Sequence, residues 1–339
     1  MKVLGIDLGF YQVKMASDEG LYKFPSIIGY PSAIELKMKE EPISIDNLYI
    51  EDNGRMYYVG NKALRDTTNF QLTFIANKTD TVADRVKYLS MLGLALNGEK
   101  EGMFQVVTGL PVDEFAGIQG LKERLRANME GVFQYKFGRE EVMVKIPNVT
   151  VIPQSAGAYY DYIMDEEGNL ITEHINPKTV IIDIGFRTTD VVTMVNAKYS
   201  PSESFTVVTG VSDIHKEIRK QLLKRYRLTK DLPEIDALVR AKTIYVGGRL
   251  IDIQSMIYEA VRPYAEKIIS MLPIYIPNLH EIHQILLTGG GATLMQGFFQ
   301  KGLREVTTFD MMEDVEFNNA RGYYKYAKFL LKNRRKAHV

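Results

Sequence analysis

Two aspartates hold the same place in a repeated pattern. Val3 to Lys14 reads V-L-G-I-D-L-G-F-Y-Q-V-K, and Val180 to Asp190 reads V-I-I-D-I-G-F-R-T-T-D. In each, an apolar run ends in Asp7 or Asp183. An aliphatic residue, Gly and Phe follow, and polar residues then lead into a second apolar strand. The chemistry that such a turn supports is phosphate binding. A glycine at the tip lets backbone N–H groups approach an anion with no side chain in the way, and successive N–H groups form an anion-binding concavity. Two such tips can clamp a polyphosphate. A carboxylate beside a triphosphate is costly unless a hard divalent cation bridges them, so Asp7 and Asp183 are candidate Mg²⁺ positions, acting through water. Lys14 could reach the phosphates as a point charge.

Three further segments have the composition that a nucleotide site needs. Leu286 to Thr293, L-L-T-G-G-G-A-T, is an apolar strand running into three glycines and then a helix from about Leu294 to Leu303. Such a turn permits close backbone approach to a flat ligand such as adenine or its ribose, and the helix N-terminus favours negative charge. Ile152 to Ala158, I-P-Q-S-A-G-A, opens a helix rich in small residues with Gln154 at its head, and Asn318 to Tyr323, N-N-A-R-G-Y, opens the last helix in the same way. Small residues let helices pack closely, so a contact between domains is expected there. Each segment alone has a plain alternative: a strand-ending turn, a flexible connection or a helix cap.

The elements that must position these residues follow from periodicity and turn signals. Each Asp-x-Gly-Phe copy predicts a β-hairpin, and copies half a chain apart predict two like-folded domains facing each other across a cleft. Leu48 to Gly60 predicts another hairpin, with Asn53-Gly54 as its turn. Apolar spacing predicts helices over Thr81 to Leu96, Val112 to Met129 and about Asp213 to Tyr226. A further helix is expected over Asp252 to Leu272, with Pro263 kinking or dividing it. Glu167-Gly168-Asn169 predicts a turn.

Composition bounds the function. At 339 residues, 45% of them hydrophobic, the chain is too long for one ordinary core and suits two domains. It has no cysteine, which excludes disulfides, thiolate metal sites and cysteine nucleophiles, and its five scattered histidines have no metal-ligand spacing. A reducing cytoplasm suits such a chain. The chain enters a strand at once, and no apolar run approaches the ~18 residues of a membrane span, so neither signal peptide nor transmembrane segment is expected. Charge is balanced, 42 basic against 42 acidic residues, which argues against broad direct DNA binding. Lys332, Arg334, Arg335 and Lys336 cluster after an amphipathic stretch with Tyr324, Ala327, Leu330 and Leu331 on one side. This is expected to be a solvated basic end, with a membrane-surface helix as the alternative.

The five segments, in this order and spacing, resemble the actin, Hsp70 and sugar-kinase superfamily over nearly the whole chain. Within it, Val106 to Pro111, V-V-T-G-L-P, is similar to a stretch common in the ParM, StbA and Alp plasmid-segregation actins. The resemblance implies an α/β fold of two actin/ribonuclease-H-like domains, each with a mixed five-stranded sheet flanked by helices, and nucleotide in the interdomain cleft. Domain I would span 1–155 with a C-terminal helix at 319–334, and domain II 156–318.

It also implies roles. Gly9, Phe10, Tyr11 and Gln12, with Gly185, Phe186, Arg187, Thr188 and Thr189, would hold the β- and γ-phosphates, Lys14 would add charge, and Asp7 and Asp183 would organise the water shell of Mg²⁺. Gln154 matches the residue that orients the attacking water. Lys216 and Glu217 match a region touching ribose and base, and Gly289, Gly290 and Gly291 would pass beneath the base. The implied activity is filament-coupled hydrolysis of ATP or GTP, with self-assembly and a DNA-binding adaptor as partners. Two alternatives are a scaffold recruited to a membrane or partner, and a small-molecule kinase with Asp190 as base.

Overall fold

The computed structural model describes residues 1–32, 41–72, 82–117 and 120–336. They belong to two compact units, Met1–His174 with Phe317–Val339, and Ile175–Glu316. The sequence expectation places the division after residue 155, whereas the compact units divide after His174 because the helix that follows Gln154 packs within the first unit.

The first unit contains β1 (Lys2–Leu8), β2 (Gln12–Ser17), β3 (Gly20–Pro25), β4 (Ile27–Gly29), β5 (Leu48–Asp52), β6 (Arg55–Val59), β7 (Phe70–Leu72), β8 (Glu101–Leu110), β9 (Gly131–Phe137) and β10 (Glu140–Pro153). They form one sheet in the order β3-β2-β1-β8-β10-β9-β5-β6-β4-β7. Its helices are α1 (Asn61–Asp66), α2 (Val82–Leu96), α3 (Val112–Gly117), α4 (Leu121–Met129), α5 (Ala156–Ile163) and, from the chain's end, α10 (Asn318–Lys336). β1 pairs antiparallel with β2 and parallel with β8, and α10 and α2 pack against it, so it is buried on both faces and its apolar run is nearly continuous. The register of β10 against β8 shifts between Lys145 and Asn148. Pro147 lies within that irregularity, the place in a sheet interior where a residue with no N–H is tolerated.

The second unit contains β11 (Lys178–Ile184), β12 (Thr189–Val195), β13 (Lys198–Tyr199), β14 (Phe205–Val207), α6 (Val211–Tyr226), α7 (Leu232–Ala241), β15 (Thr243–Val246), β16 (Arg249–Asp252), α8 (Gln254–Tyr275), β17 (Gln284–Thr288), α9 (Ala292–Leu303) and β18 (Thr308–Met311). Its main sheet runs β13-β12-β11-β17-β18, with β14 also on β12. The path matches β3-β2-β1-β8-β10: two antiparallel pairings, then two parallel ones, about a central hairpin strand. The five-stranded mixed sheet is therefore common to both units, and in the first it continues through five more strands.

Two helix expectations are corrected. Val112 to Met129 is two helices, α3 and α4, and Gly120 before α4 sits at φ 77°, a left-handed conformation that a continuous helix cannot contain. Residues 118–119, like Thr81 at the expected start of α2, lie outside the described residues. Pro263 does not divide α8, which is a single helix of 22 residues. Pro263 and Glu259, the residue whose carbonyl the proline leaves unbonded, are both on the exposed side, where water can take that carbonyl. The opposite side, from Met256 to Leu272, is buried in the core and holds the helix in one piece. Among the described residues, no helix is long and apolar enough to cross a membrane.

The first unit closes through glycines. A Cβ at Gly322 of α10 would fall on the carbonyl oxygen of Gly157 in α5, and one at Gly157 would lie 2.8 Å from the Asn319 carbonyl oxygen. A Cβ at Gly5 of β1 would meet the Ala320 carbonyl. Backbone thus touches backbone at the crossing of β1, α5 and α10. Side chains reinforce it: Asn319 Oδ1 accepts from the Ala158 N–H (3.1 Å), an otherwise free donor in the first turn of α5. Buried Asp161 accepts from Asn318 (2.7 Å) and pairs with Arg321 (2.9 Å) and Lys325 (2.8 Å). Near the end of α10, exposed Lys332 donates to Asn169 (2.8 Å) and exposed Arg334 to Asn148 (3.2 Å). Gly322→Ala is expected to lower unfolding free energy by about 3 kcal/mol, read as a fall in thermal midpoint, because neither helix backbone can yield without breaking this network.

Candidate functional site

The first candidate turn joins β1 to β2. Asp7 is buried and pairs in register with Lys14 across the hairpin. Gly9, Phe10, Tyr11 and Gln12 at the tip are partly exposed, and a Cβ at Gly9 would run into the Gln12 carbonyl, so the turn can close only around a glycine. The tip is tied back to the sheet by Ser26 N–H donating to the Tyr11 carbonyl (2.9 Å).

The second turn joins β11 to β12 and has the same register, with a difference in charge. Buried Asp183 pairs with Asp190, the counterpart of Lys14. Asp190 accepts from the hydroxyls of Thr206 (2.5 Å) and Thr188 (3.4 Å). The Gly185 N–H donates to the Thr188 carbonyl (2.9 Å). Helix α6 then grips the turn from behind: Val211 N–H donates to the Gly185 carbonyl (3.1 Å) and Ser212 N–H to the Phe186 carbonyl (2.8 Å). The Thr189 hydroxyl donates to the Thr209 carbonyl (3.0 Å), and a Cβ at Gly210 would lie 2.5 Å from the Phe186 carbonyl oxygen. Thr209 and Gly210 are missing from the sequence expectation. Their signal was a Thr-Gly pair directly before an amphipathic helix.

The three glycines after β17 are not equivalent. Gly289 has φ 87° and lies against the Asp183 carboxylate, on which a Cβ would fall. Gly291 donates its N–H to the Ile184 carbonyl (2.9 Å) and leaves no room for a Cβ beside Ile184. Gly290 is exposed, with nothing within 4 Å of a Cβ. Packing explains the outer two, whereas the middle one presents open backbone at the start of α9, where a flat or anionic group can approach. Asp183, the Gly185 turn and the three glycines are thus brought together within one unit. Lys216 and Glu217 lie farther along α6, with Lys216 exposed and paired to Asp213 (2.9 Å).

In the first unit, Gln154 directly follows β10, with its backbone fixed on both sides. Its N–H donates to the Leu110 carbonyl (2.7 Å), and its carbonyl accepts from the Tyr323 hydroxyl (2.8 Å) and the Gly157 N–H (3.0 Å). The side chain is partly exposed. Among the described residues, no group of three or more His, Asp or Glu side chains is arranged to hold a metal ion.

Behind the second turn, His215 of α6 is buried edge-on to Phe186, with ring centroids 6.1 Å apart. Neither ring nitrogen has a hydrogen-bond partner among the described residues, and Asp236 Oδ1 is 3.8 Å away. Burial lowers its pKa from the usual 6.5, the Asp236 charge opposes this and Arg240 adds to it.

Two family models match the chain. Residues 5–157 match the actin-like proteins N-terminal domain, and residues 181–301 match the C-terminal domain of archaeal MreB-like actin homologues. No curated protein sequence matches it. Among solved structures, the chain is similar to the apo ParM protein of pSK41, with 21% identity, 98% of both chains covered and a TM-score of 0.75. It is similar to a ParM from Clostridium botulinum solved as a 15-stranded filament, with 23% identity, 97% of this chain and 99% of that one covered and a TM-score of 0.76. It is also similar to the archaeal actin homologue Ta0583, with 18% identity, 97% and 100% coverage and a TM-score of 0.79, and that protein has been solved in complex with ADP.

Two measurements probe this geometry. Gly289→Ala is expected to cost about 3 kcal/mol, through the positive φ and the contact with Asp183, and to shift the urea midpoint accordingly. The lowered pKa of His215 means that the unfolded chain takes up a proton first. Stability should therefore fall as pH drops below about 6.5, and His215→Leu should flatten that part of the urea-midpoint profile.

Proposed function

We propose that this chain, which belongs to the actin-like protein family, binds ATP or GTP with Mg²⁺, hydrolyses it, and polymerises into filaments that segregate plasmid DNA. The observation that carries this reading is the paired turn: two glycine-tipped hairpins at equivalent positions of equivalent sheets, each with a buried aspartate at the same register.

The tips Gly9 to Gln12 and Gly185 to Thr189 offer backbone N–H groups to phosphate oxygens, and the glycines keep side chains out of the way. Lys14 adds a cation on one side. Asp190, held by two threonine hydroxyls, stays committed to the turn, which disfavours its use as a kinase base. Asp7 and Asp183 would hold Mg²⁺ through water, and the ion would offset the charge of the phosphates. Gly290 faces the nucleoside, with Lys216 and Glu217 on the neighbouring stretch of α6. Gln154 has no charge to remove a proton and orients the attacking water instead.

Self-assembly is supported by the filament form in which a ParM relative was solved. Balanced net charge favours a DNA-binding adaptor over direct DNA contact. The exposed Lys332 and Arg334 fit a solvated basic end, and the cysteine-free composition suits the cytoplasm.

Light scattering, negative-stain electron microscopy and phosphate release, with Mg²⁺ and ATP, GTP, ADP or no nucleotide, test the reading. Filaments that need a triphosphate, with phosphate release following assembly, are the expected result. Monomer in every condition would refute it. Asp7→Ala and Asp183→Ala are expected to lose Mg²⁺-dependent nucleotide binding in a fluorescence titration. Gln154→Ala should bind and assemble but release phosphate about a hundredfold more slowly, and an unchanged rate would remove Gln154 from the mechanism.

A further inference from the structure

Three glycines from three elements stand against one side chain. A Cβ at Gly5 of β1 would lie 2.9 Å from the Tyr323 Cβ, one at Gly109 of β8 would fall on the Tyr323 hydroxyl, and one at Gly157 of α5 would fall on its ring. Tyr323, from the second turn of α10, is fully buried in the slot that they leave. The slot also explains the single glycine of the Val106 to Pro111 stretch. A side chain at 109 would displace the hydroxyl and would lie 2.7 Å from the Gln154 Cα as well.

A phenylalanine ring would fill an apolar slot equally well. A buried phenol hydroxyl is costly unless it finds a partner, and this one donates to the Gln154 carbonyl at 2.8 Å. That carbonyl already accepts from the Gly157 N–H (3.0 Å), so it is satisfied without the hydroxyl. A second donor, arriving from a different element, adds direction. The Gln154 N–H is held by the Leu110 carbonyl (2.7 Å), so the peptide planes on both sides of the Gln154 Cα are pinned, one by β8 and the other by α5 and α10. Two fixed planes leave the backbone no free torsion there, and they set the direction in which the Gln154 side chain leaves the chain.

We infer that Tyr323 is a positioning residue for hydrolysis: its hydroxyl, admitted by Gly109, fixes the aim of Gln154 at the attacking water. This rests on the role proposed for Gln154 above. A group that orients water must be held closely, since a misplacement of about 1 Å can cost about a hundredfold in rate. The last helix of the chain thereby governs the rate through Gln154.

Tyr323→Phe keeps the ring in its slot and removes only the hydroxyl. Tyr88→Phe is its control, because the Tyr88 hydroxyl is also buried in the first unit and also donates to a backbone carbonyl, that of Met129 (3.0 Å). Both are made in the full-length chain. Single-turnover phosphate release is measured per bound nucleotide, with Mg²⁺ and ATP or GTP, so that an unfolded fraction does not count. Tyr323→Phe should release phosphate about tenfold more slowly, with nucleotide affinity and critical concentration within about twofold of the unmodified chain. Both variants should lower the urea midpoint by similar amounts, and Tyr88→Phe should leave the release rate unchanged. In the Gln154→Ala background, Tyr323→Phe should slow release no further. Unchanged release by Tyr323→Phe, beside slow release by Gln154→Ala, would overturn the positioning role and leave the hydrolysis reading intact. Further slowing in the double variant would overturn it too, because Tyr323 would then act by a route other than Gln154. Gln154→Ala as fast as the unmodified chain would remove the role on which the proposal rests, and an unmodified chain that releases no phosphate from either nucleotide would refute the hydrolysis reading and the proposal together.

Discussion

The first unit depends on backbone touching backbone where β1, α5 and α10 cross. At Gly5, Gly157 and Gly322 there is no space for even one methyl group. That approach seats Tyr323 within reach of the Gln154 carbonyl and brings Asn319 onto the first turn of α5. It also forces Asp161 out of water, a position a carboxylate keeps only with full compensation. Asn318, Arg321 and Lys325 supply it, all from one helix that arrives more than 150 residues later in the chain. Packing and polar satisfaction are one constraint here, since neither holds without the other.

The second unit solves the same problem, how to fix a glycine turn, in a different way. Its turn is held by the first N–H groups of α6, donors that a helix terminus leaves unused. These bonds commit the Gly185 and Phe186 carbonyls. The two turns are alike in backbone and register, yet Lys14 in one stands where Asp190 stands in the other. A lysine on one turn and a carboxylate tied to threonine hydroxyls on the other are different chemical tools on one scaffold. The asymmetry gives each turn its own task in the proposed hydrolysis.

The loop that holds the second turn continues backwards to Val208, at the surface. A few hydrogen bonds thus join the Gly185 turn to exposed apolar surface at Val208. The same few bonds that define the turn set the position of that surface.

What the sequence by itself determined is what depends on neighbours along the chain. The Asn53-Gly54 turn, both Asp-x-Gly-Phe hairpins and the glycine run into α9 were legible, because turn conformation and apolar alternation are local properties. So was the pairing of like folds, because a repeated pattern reports a repeated fold. Tertiary structure decided the rest. Pro263 stays inside one helix because a buried apolar face outweighs a lost hydrogen bond that water can replace. The break before α4 is set at Gly120 although apolar spacing continues through it. The five added strands of the first sheet, the Asp161 cluster and the grip of α6 on Gly185 join residues distant in sequence, and no local signal marks such partners. Of the three glycines at 289–291, sequence treats all alike, whereas packing claims the outer two and leaves Gly290 open. Which glycine serves the fold and which is free for a ligand depends on what stands across from each, and only the folded chain places it there.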